Sequence, residues 1–180
     1  MKKMVLLFAV LLAFSDCNGK TNSKQTENNT AAVEQNDDNS GAQEKYKEFS
    51  LPGIGGGIVN VADYVKANEY TLIDFWASWC GPCMAEMPVL KQAYKNFKSK
   101  GFEIVGVSLD NDEDSWKTAI EQLNLKWPQM SDLKGWECAA AQLYGVRSIP
   151  SNVLVDKNGV IVAEDLRGED LLNTLTSIFK

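Results

Sequence analysis

Leu72-Ile-Asp-Phe-Trp-Ala-Ser-Trp-Cys-Gly-Pro-Cys83 is the most informative stretch of this 180-residue chain. It begins inside a short, mostly apolar segment, Tyr70 to Trp76, which is typical of a buried strand. It ends at two cysteines that are separated by two residues. Pro82 is a favourable residue at the start of a helix, so we expect a helix from about residue 82 to residue 98. The cysteine pair therefore lies where a buried strand passes into a helix.

This position gives the two cysteines different chemistry. At a helix N-terminus, unpaired backbone N–H groups and the helix dipole stabilise a thiolate, here at Cys80. Cys83 lies about one turn further along, close enough to form a disulfide with Cys80, and is expected to be the more buried of the two. An activated, exposed sulfur and a second sulfur that resolves a mixed disulfide make a redox-active pair. A structural disulfide and half of a zinc site are the alternatives. A Cys₄ zinc site needs a second Cys-x-x-Cys, and only Cys138 is left in the domain.

The composition excludes several other kinds of site. The chain has four cysteines and no histidine, which rules out Ser-His-Asp hydrolases, Cys-His proteases and histidine-ligated zinc or haem. Its 18 Lys and Arg residues against 24 Asp and Glu residues give a formal net charge of −6, with no long basic stretch. We therefore expect neither a nucleic acid as partner nor a metal as cofactor.

Two weaker signals favour ordinary structural roles. Acidic residues from Asp110 to Glu121 match several ligand positions of a calcium-binding loop, but Ser115 stands where that loop needs glycine. Asp114-Ser-Trp116 is better interpreted as the start of a helix with acids in its first turn. Cys138 lies in a helical pattern and is expected to be a small buried residue, with a regulatory or disulfide-linked cysteine as the alternative.

The N-terminus has the layout of a secretory signal peptide, which we assign to residues 1–17. A basic start is followed by an apolar segment, Val5 to Phe14, that is too short to span a bilayer as a helix. Cys17 lies where the lipid-acceptor cysteine of bacterial lipoproteins lies, although Asp16 departs from the small residue which that pattern requires. The alternatives are cleavage after Ser15, an incidental cysteine within the signal, and a disulfide partner. We expect an exported protein of the periplasm or cell envelope that contacts the membrane through a lipid anchor at Cys17.

A polar segment and one domain follow. Residues 18–45 contain almost no large apolar side chain and are expected to form a disordered tether. Residues 46–180 alternate between strand and helix patterns. The remaining predicted elements are a loose hairpin or loop over 49–58, a short helix over 61–66, a strand over 102–109, a helix over 113–123, a helix over 136–144, a hairpin of 153–155 and 160–162, and a helix over 169–179. This order predicts an α/β domain whose central sheet is parallel in its first half and sandwiched by helices.

The chain from about Tyr46 to Lys180 resembles the thioredoxin superfamily, and within it the exported thiol–disulfide oxidoreductases of the TlpA/ResA type. The matching stretches are Leu72 to Cys83, Glu86-Met-Pro88, Tyr144-Gly-Val-Arg-Ser-Ile-Pro150 and Asp156-Lys-Asn-Gly159. The resemblance implies the thioredoxin fold, a central mixed β-sheet sandwiched by α-helices. It also implies that the enzyme needs no cofactor beyond its own redox-active Cys80–Cys83 disulfide.

The resemblance assigns the catalytic roles. Cys80 is expected to be the attacking nucleophile, Cys83 the resolving thiol, and Asp74 a buried carboxylate that helps Cys83 lose its proton. Burial of a lone Asp in an apolar strand would independently raise its pKa. An Asp that faces solvent at the end of the strand is the alternative. Many TlpA-like members carry Asn at this position.

Other residues are expected to bind substrate or support the site. Pro150 matches the cis-proline opposite the cysteines, which turns the backbone of Ile149 towards a substrate strand, and Trp79 is expected to be an apolar docking surface. The supporting residues are Trp76, which could equally be core packing, Gly81, Pro82, and Glu86, which could equally be a solvated helix carboxylate. Gly168 resembles a loop glycine beside the site.

The predicted function is thiol–disulfide exchange in the direction of substrate reduction. Gly81-Pro82 resembles the dipeptide of reducing members, whereas strongly oxidising members carry a histidine there. The expected partners are disulfide-containing substrate proteins and an upstream thiol donor in the envelope or membrane. The alternatives are a non-catalytic, disulfide-stabilised binding module and a thioredoxin-fold peroxidase, although Phe75 to Trp79 offers no threonine of the peroxidase pattern.

Overall fold

The computed structural model describes residues 43–180, which form a five-stranded mixed sheet with helices and a separate two-stranded hairpin. The predicted signal peptide, Cys17 and most of the predicted tether lie outside the described residues. The strands are β1 (Ser50–Pro52), β2 (Ile58–Asn60), β3 (Tyr70–Trp76), β4 (Phe102–Ser108), β5 (Gln129–Met130), β6 (Ser151–Asp156) and β7 (Ile161–Glu164). The helices are α1 (Val61–Ala67), α2 (Gly81–Phe97), α3 (Glu113–Leu123), α4 (Ala139–Leu143) and α5 (Gly168–Ile178). Over residues 43–180 no helix combines the length and apolarity that crossing a bilayer requires.

Strands β3 and β4 form the centre of the sheet, whose order is β5-β4-β3-β6-β7. They pair in parallel, with Ile73 opposite Val105, because α2 provides the crossover between them. Every residue of β4 and nearly every residue of β3 is buried, so both faces of the sheet are covered. Helix α2 packs against α5, and α1 packs against β3 and β4. The predicted thioredoxin fold is confirmed, and the cysteine pair lies at the C-terminal end of its central strand.

The second half of the sheet is antiparallel. Strand β6 pairs with β3, which places Asn152 opposite Asp74. Asp156 ends β6, and its Oδ1 accepts hydrogen bonds from the backbone nitrogens of Asn158 and Val160, which closes the predicted turn before β7. The backbone nitrogen of Ile161 donates to the carbonyl of Glu44 at 2.8 Å. The backbone of Glu44, two residues before the predicted start of the domain, therefore pairs with the β6–β7 hairpin.

The predicted helix over 136–144 is wrong in its first half. A 3₁₀ turn at Gly135–Glu137 is followed by an extended Cys138, with ψ of 124°, before α4 begins. Asp132 Oδ2 accepts the backbone N–H of Ala139 at 2.9 Å, which supplies a partner at the start of α4 without an intact helix before it.

Strand β5 was not predicted because a two-residue strand carries no periodicity. It pairs with β4 where Gly106 leaves room for a side chain: a Cβ at Gly106 would lie 2.3 Å from Oε1 of Gln129. The glycine in the middle of β4 is therefore required by the packing of its neighbour.

Candidate active site

Cys80 and Cys83 form a disulfide at the first turn of α2, with an S–S distance of 2.10 Å and a Cα–Cα distance of 5.2 Å. Cys80 is the N-cap residue of the helix, and its Sγ accepts the backbone N–H of Cys83 at 3.2 Å. The sequence predicts an exposed Cys80 and a more buried Cys83. Cys80 is the more accessible, but it is itself buried, at 5% exposed against 1% for Cys83. Gly81 and Pro82 lie exposed between the two cysteines.

The Ile149–Pro150 peptide bond is cis, and it faces the cysteine pair. The carbonyl oxygen of Ile149 lies 3.7 Å from Sγ of Cys80. Both residues are half-buried, so they are partly accessible. A main-chain acceptor next to the reactive sulfur is the geometry that an extended substrate segment can use.

Two tryptophans flank the site in different ways. Trp79 is 53% exposed and packs against Trp136, itself 49% exposed, with ring centroids 6.2 Å apart. Together they form an exposed aromatic pair directly before Cys80. Trp76 is fully buried, and its Nε1 donates to Oε1 of Gln129 at 3.0 Å. Trp76 is therefore core packing that also fixes the end of β3 to β5.

Asp74 is buried in the middle of the sheet at 2% exposed, which rules out the alternative of a solvent-facing carboxylate. Burial raises its pKa to about 7 from 3.8, because an ionised carboxylate loses its hydration there. The positive charge of Arg167 acts in the opposite direction, and the negative charge of Glu86 raises the pKa further. A carboxyl group that titrates near neutral pH can accept and return a proton in the working range of an enzyme.

Glu86 is half-buried on α2 and is not merely a solvated carboxylate. Its Oε2 accepts the backbone N–H of Gly168, the first residue of α5, at 3.0 Å. This bond ties the helix that carries the cysteines to the start of α5. Gly168 has a φ of 49°, a left-handed conformation in which glycine avoids the strain of a side chain.

Sequence reasoning does not identify two residues as part of the site. Arg167, before α5, donates from Nη2 to the carbonyl of Pro150. Asp110, after β4, is buried and accepts hydrogen bonds from the backbone nitrogen and hydroxyl of Ser78 and from the hydroxyl of Ser108, the two hydroxyls each at 2.6 Å. Asp110 thereby holds the segment that leads into the cysteines. The signal that could have identified Asp110 is its position next to the end of a central strand, two residues after a serine.

The other candidate sites are accounted for structurally. Asp112 is the N-cap of α3, where its Oδ1 accepts the backbone N–H of Ser115 at 2.8 Å. Across residues 43–180, no three His, Cys, Asp or Glu side chains are grouped so as to hold a metal ion. Cys138 is a buried free thiol, and burial raises its pKa, which disfavours a reactive thiolate.

Two solved structures with the same fold are those of thiol–disulfide oxidoreductases. A thiol–disulfide oxidoreductase from Bacteroides fragilis superposes with a TM-score of 0.70 at 35% identity, over 75% of this chain and 99% of that one. The thioredoxin domain of a thiol–disulfide oxidoreductase from Bacteroides vulgatus also has a TM-score of 0.70, at 36% identity, over 77% of this chain and 97% of that one.

Sequence comparison agrees with the structural one. Residues 42–164 match the model of the AhpC/TSA family. The thiol–disulfide oxidoreductase ResA of Bacillus cereus is 35% identical over 132 residues, which cover 73% of this chain and 73% of that protein. ResA of Bacillus thuringiensis is 31% identical over the same length. The chain therefore belongs to the AhpC/TSA family of the thioredoxin superfamily, as a thiol–disulfide oxidoreductase similar to ResA.

Proposed function

We propose that the enzyme reduces disulfides in exported proteins and cycles between a Cys80/Cys83 dithiol and the Cys80–Cys83 disulfide. The Cys80 thiolate attacks one sulfur of a substrate disulfide, and the other substrate sulfur leaves and takes up a proton. Cys83 then loses its proton and attacks Sγ of Cys80, which releases the second substrate thiol. The substrate gains two electrons and two protons, and the enzyme is left in the disulfide form.

The placement of Cys80 carries this proposal. Its Sγ lies 3.2 Å from the backbone nitrogen of Cys83 and 3.7 Å from the carbonyl oxygen of Ile149. The N–H favours the thiolate, and the carbonyl belongs to the segment on which a substrate strand would lie. A disulfide that served only to hold a binding module together would need neither group beside its sulfur.

The remaining site residues take supporting roles in this proposal. Asp74 accepts the proton of Cys83, and Trp79, Ile149 and Pro150 contact the substrate. Trp76 fixes the end of β3 that leads to the cysteines, Glu86 ties α2 to the start of α5, and Gly81 and Pro82 form the first turn of α2. The redox disulfide replaces any separate cofactor.

The reducing direction is supported by what lies between the cysteines. A strongly oxidising dithiol has a reduced form that is stabilised through its thiolate. Gly81 and Pro82 bring no charge to Cys80, so its thiolate depends on the Cys83 N–H and the helix N-terminus. Weaker stabilisation of the thiolate favours a dithiol that gives electrons to the substrate. An upstream thiol donor then returns the enzyme to its reduced form.

Export is supported by the first 17 residues, and attachment to the membrane by Cys17. Incorporation of radiolabelled palmitate into the wild type, and its loss in Cys17→Ala, tests the anchor. Absence of label in the wild type would contradict lipidation and favour cleavage after Ser15.

Reduction of insulin with dithiothreitol as electron source tests the activity. We expect the wild type to accelerate precipitation of the insulin chains and Cys80→Ser to abolish the acceleration, while Cys138→Ser, which removes the buried thiol, leaves it in place. A wild type that works no faster than Cys80→Ser would refute the enzyme and favour the binding module.

Trapping tests the substrate class. Cys83→Ser cannot resolve the mixed disulfide, so it should retain substrate proteins on Cys80 in envelope extracts. The double variant Cys80→Ser/Cys83→Ser is the matched control and should retain none. If Cys83→Ser retains no envelope protein but turns over hydrogen peroxide, the reductase proposal is wrong and the peroxidase alternative is favoured.

A further inference from the structure

The segment between β7 and α5, Asp165 to Arg167, is hydrogen-bonded to Asn152, two residues after Pro150. The side chain of Asn152 makes two hydrogen bonds with the backbone of Leu166, at 2.8 and 3.0 Å. The backbone nitrogen of Asp165 donates to the carbonyl of Asn152 at 2.7 Å. The two segments therefore form one hydrogen-bonded unit at the side of the active site.

Arg167 is the positively charged residue within this unit. Its Nη2 donates to the carbonyl of Pro150 and lies 3.6 Å from Oδ1 of Asp165. Its Nη1 is buried and has no hydrogen-bond partner among residues 43–180. The Arg167 side chain as a whole is 39% exposed, so its charge is partly solvated although Nη1 itself is buried.

Two acidic side chains lie close to this unit, and the first is Asp74 of β3, which is paired opposite Asn152, the residue that binds Leu166. Gly168, the residue after Arg167, binds the second, Glu86 of α2, through its backbone N–H at 3.0 Å. The charges of Arg167 and Glu86 both act on the buried carboxyl of Asp74 from β3, and Arg167 is the one that favours its ionised form. The three charged side chains therefore belong to one electrostatic cluster, made by β3, α2 and the start of α5.

We propose that Arg167 is a positioning residue that holds the substrate-binding segment at Pro150 and keeps Asp74 available as a carboxylate. The inference rests on the role proposed above for Asp74 as proton acceptor. One side chain then links the place where substrate binds to the group that takes the proton.

The step affected is the resolution of the mixed disulfide. The thiol proton of Cys83 passes to the Asp74 carboxylate, Sγ of Cys83 forms a bond with Sγ of Cys80, and the bond between Cys80 and the substrate sulfur breaks. The leaving thiolate then takes up a proton. The rate depends on the fraction of Asp74 that is ionised, which Arg167 raises and Glu86 lowers.

Reaction of the fully reduced enzyme with 5,5′-dithiobis(2-nitrobenzoic acid) isolates this step. The first thionitrobenzoate is released when Cys80 is modified, and the second is released when Cys83 resolves the mixed disulfide, so stopped-flow absorbance resolves the two phases. Arg167→Met removes the charge at similar length, and Arg167→Lys retains it. Arg147→Met, at an exposed position in the loop before Pro150, is the matched control, because the charges that act on Asp74 are those of Arg167 and Glu86.

We expect Arg167→Met to shift the pH midpoint of the second phase upwards by about one unit, with a rate about tenfold lower below the midpoint. Arg167→Lys should restore the midpoint, and Arg147→Met should keep it unchanged. A purely structural role would slow the reaction at every pH without moving the midpoint. If Arg167→Met does not fold, Arg167→Gln serves as a second neutral variant.

Two outcomes overturn the inference in distinguishable ways. If Asp74→Asn has the same pH profile as the wild type, Asp74 is not the proton acceptor and the proposed mechanism fails with it. If Asp74→Asn changes the profile but the neutral variants of Arg167 do not, only the role of Arg167 fails. Because this exchange occurs within one molecule, the result does not depend on whether the enzyme reduces or oxidises its substrates.

Discussion

The Sγ of Cys80 lies 3.7 Å from the carbonyl oxygen of Ile149, on the segment that precedes the cis-proline. The same sulfur accepts the backbone N–H of Cys83 at the start of α2. In the reduced enzyme the carbonyl can accept only from a thiol, whereas the N–H and the helix N-terminus favour a thiolate. The sulfur that meets the substrate is therefore the one whose ionisation the fold assists.

The three thiols of the reduced domain should differ in reactivity. We expect iodoacetamide at pH 7 to modify Cys80 first, Cys83 more slowly and Cys138 last, because Cys138 is buried and its pKa is raised. Mass spectrometry of peptides at several times measures the order. Cys80→Ser should lose the fast phase, and equal rates for Cys80 and Cys138 would contradict the assignment of the nucleophile.

The stability of the oxidised protein should fall as pH rises from about 4 to about 7. The pKa of Asp74 is about 7 in the folded protein against 3.8 for an ordinary Asp. The folded state therefore binds more protons than the unfolded state between these values, and the free energy of unfolding decreases with pH across that window. By pH 8 the cost of the buried charge is on the order of 4 kcal/mol.

Asp74→Asn removes this titration, so its stability relative to the wild type should be greater at pH 8 than at pH 4.5. Urea unfolding at both pH values measures the difference. Glu86→Gln should weaken the pH dependence, because the charge of Glu86 raises the pKa of Asp74. A wild type whose pH dependence matches that of Asp74→Asn would show that the carboxyl group is not buried as a titrating acid.

Sequence reasoning reached the parts of the site that rest on local geometry. The cysteine pair at a strand-to-helix junction, the buried strand with Asp74 and the Asp156–Gly159 turn each follow from a few neighbouring residues. The extended conformation of Cys138 could not be predicted from its alanine-rich helical pattern. The residue that accepts a hydrogen bond from the start of α4, Asp132, lies outside that pattern.

The connections of Arg167 and Asp110 could not be predicted for a related reason. Arg167 reaches Pro150, 17 residues earlier, and Asp110 reaches Ser78, 32 residues earlier. Such contacts are set by how β6, β7 and α5, or β3 and β4, come together. Only the sheet order places these residues around the cysteines.

The buried Asp110 should be required for both stability and rate. Asp110→Ala leaves the backbone N–H and hydroxyl of Ser78 and the hydroxyl of Ser108 without their acceptor. We expect a loss of about 2–4 kcal/mol in the free energy of unfolding, because hydrogen bonds to a buried carboxylate are strong and the donors stay buried. Insulin reduction should also slow, since the segment before Cys80 loses its anchor.

Asp112→Ala is the matched control for Asp110→Ala. Asp112 lies two residues after Asp110, and its substitution removes the N-cap of α3. Asp112→Ala should therefore lower the free energy of unfolding by less than Asp110→Ala and leave the reduction rate close to wild type. Equal effects of the two variants on the reduction rate would contradict a specific role for Asp110 in the active-site segment.

The aromatic pair of Trp79 and Trp136 should determine how well a peptide substrate binds. Their rings are 6.2 Å apart and about half exposed beside Cys80, so an apolar side chain next to a substrate cysteine can be buried against both. Loss of one aromatic contact of about 0.5–1.5 kcal/mol corresponds to a weakening of about 2- to 13-fold. We therefore expect Trp136→Ala to raise KM by that factor for a disulfide peptide with phenylalanine beside its cysteine, with little change in kcat.

Steady-state kinetics with a second peptide, which carries serine in place of phenylalanine, separates docking from general damage. Trp136→Ala should affect the serine peptide little, and Trp136→Phe should recover most of the affinity for the phenylalanine peptide. Val162→Ala, which shortens an exposed apolar side chain on β7, should behave as wild type with both. If Trp136→Ala raises KM equally for the two peptides, the tryptophan supports the loop rather than the substrate, because only a direct contact depends on the side chain beside the substrate cysteine.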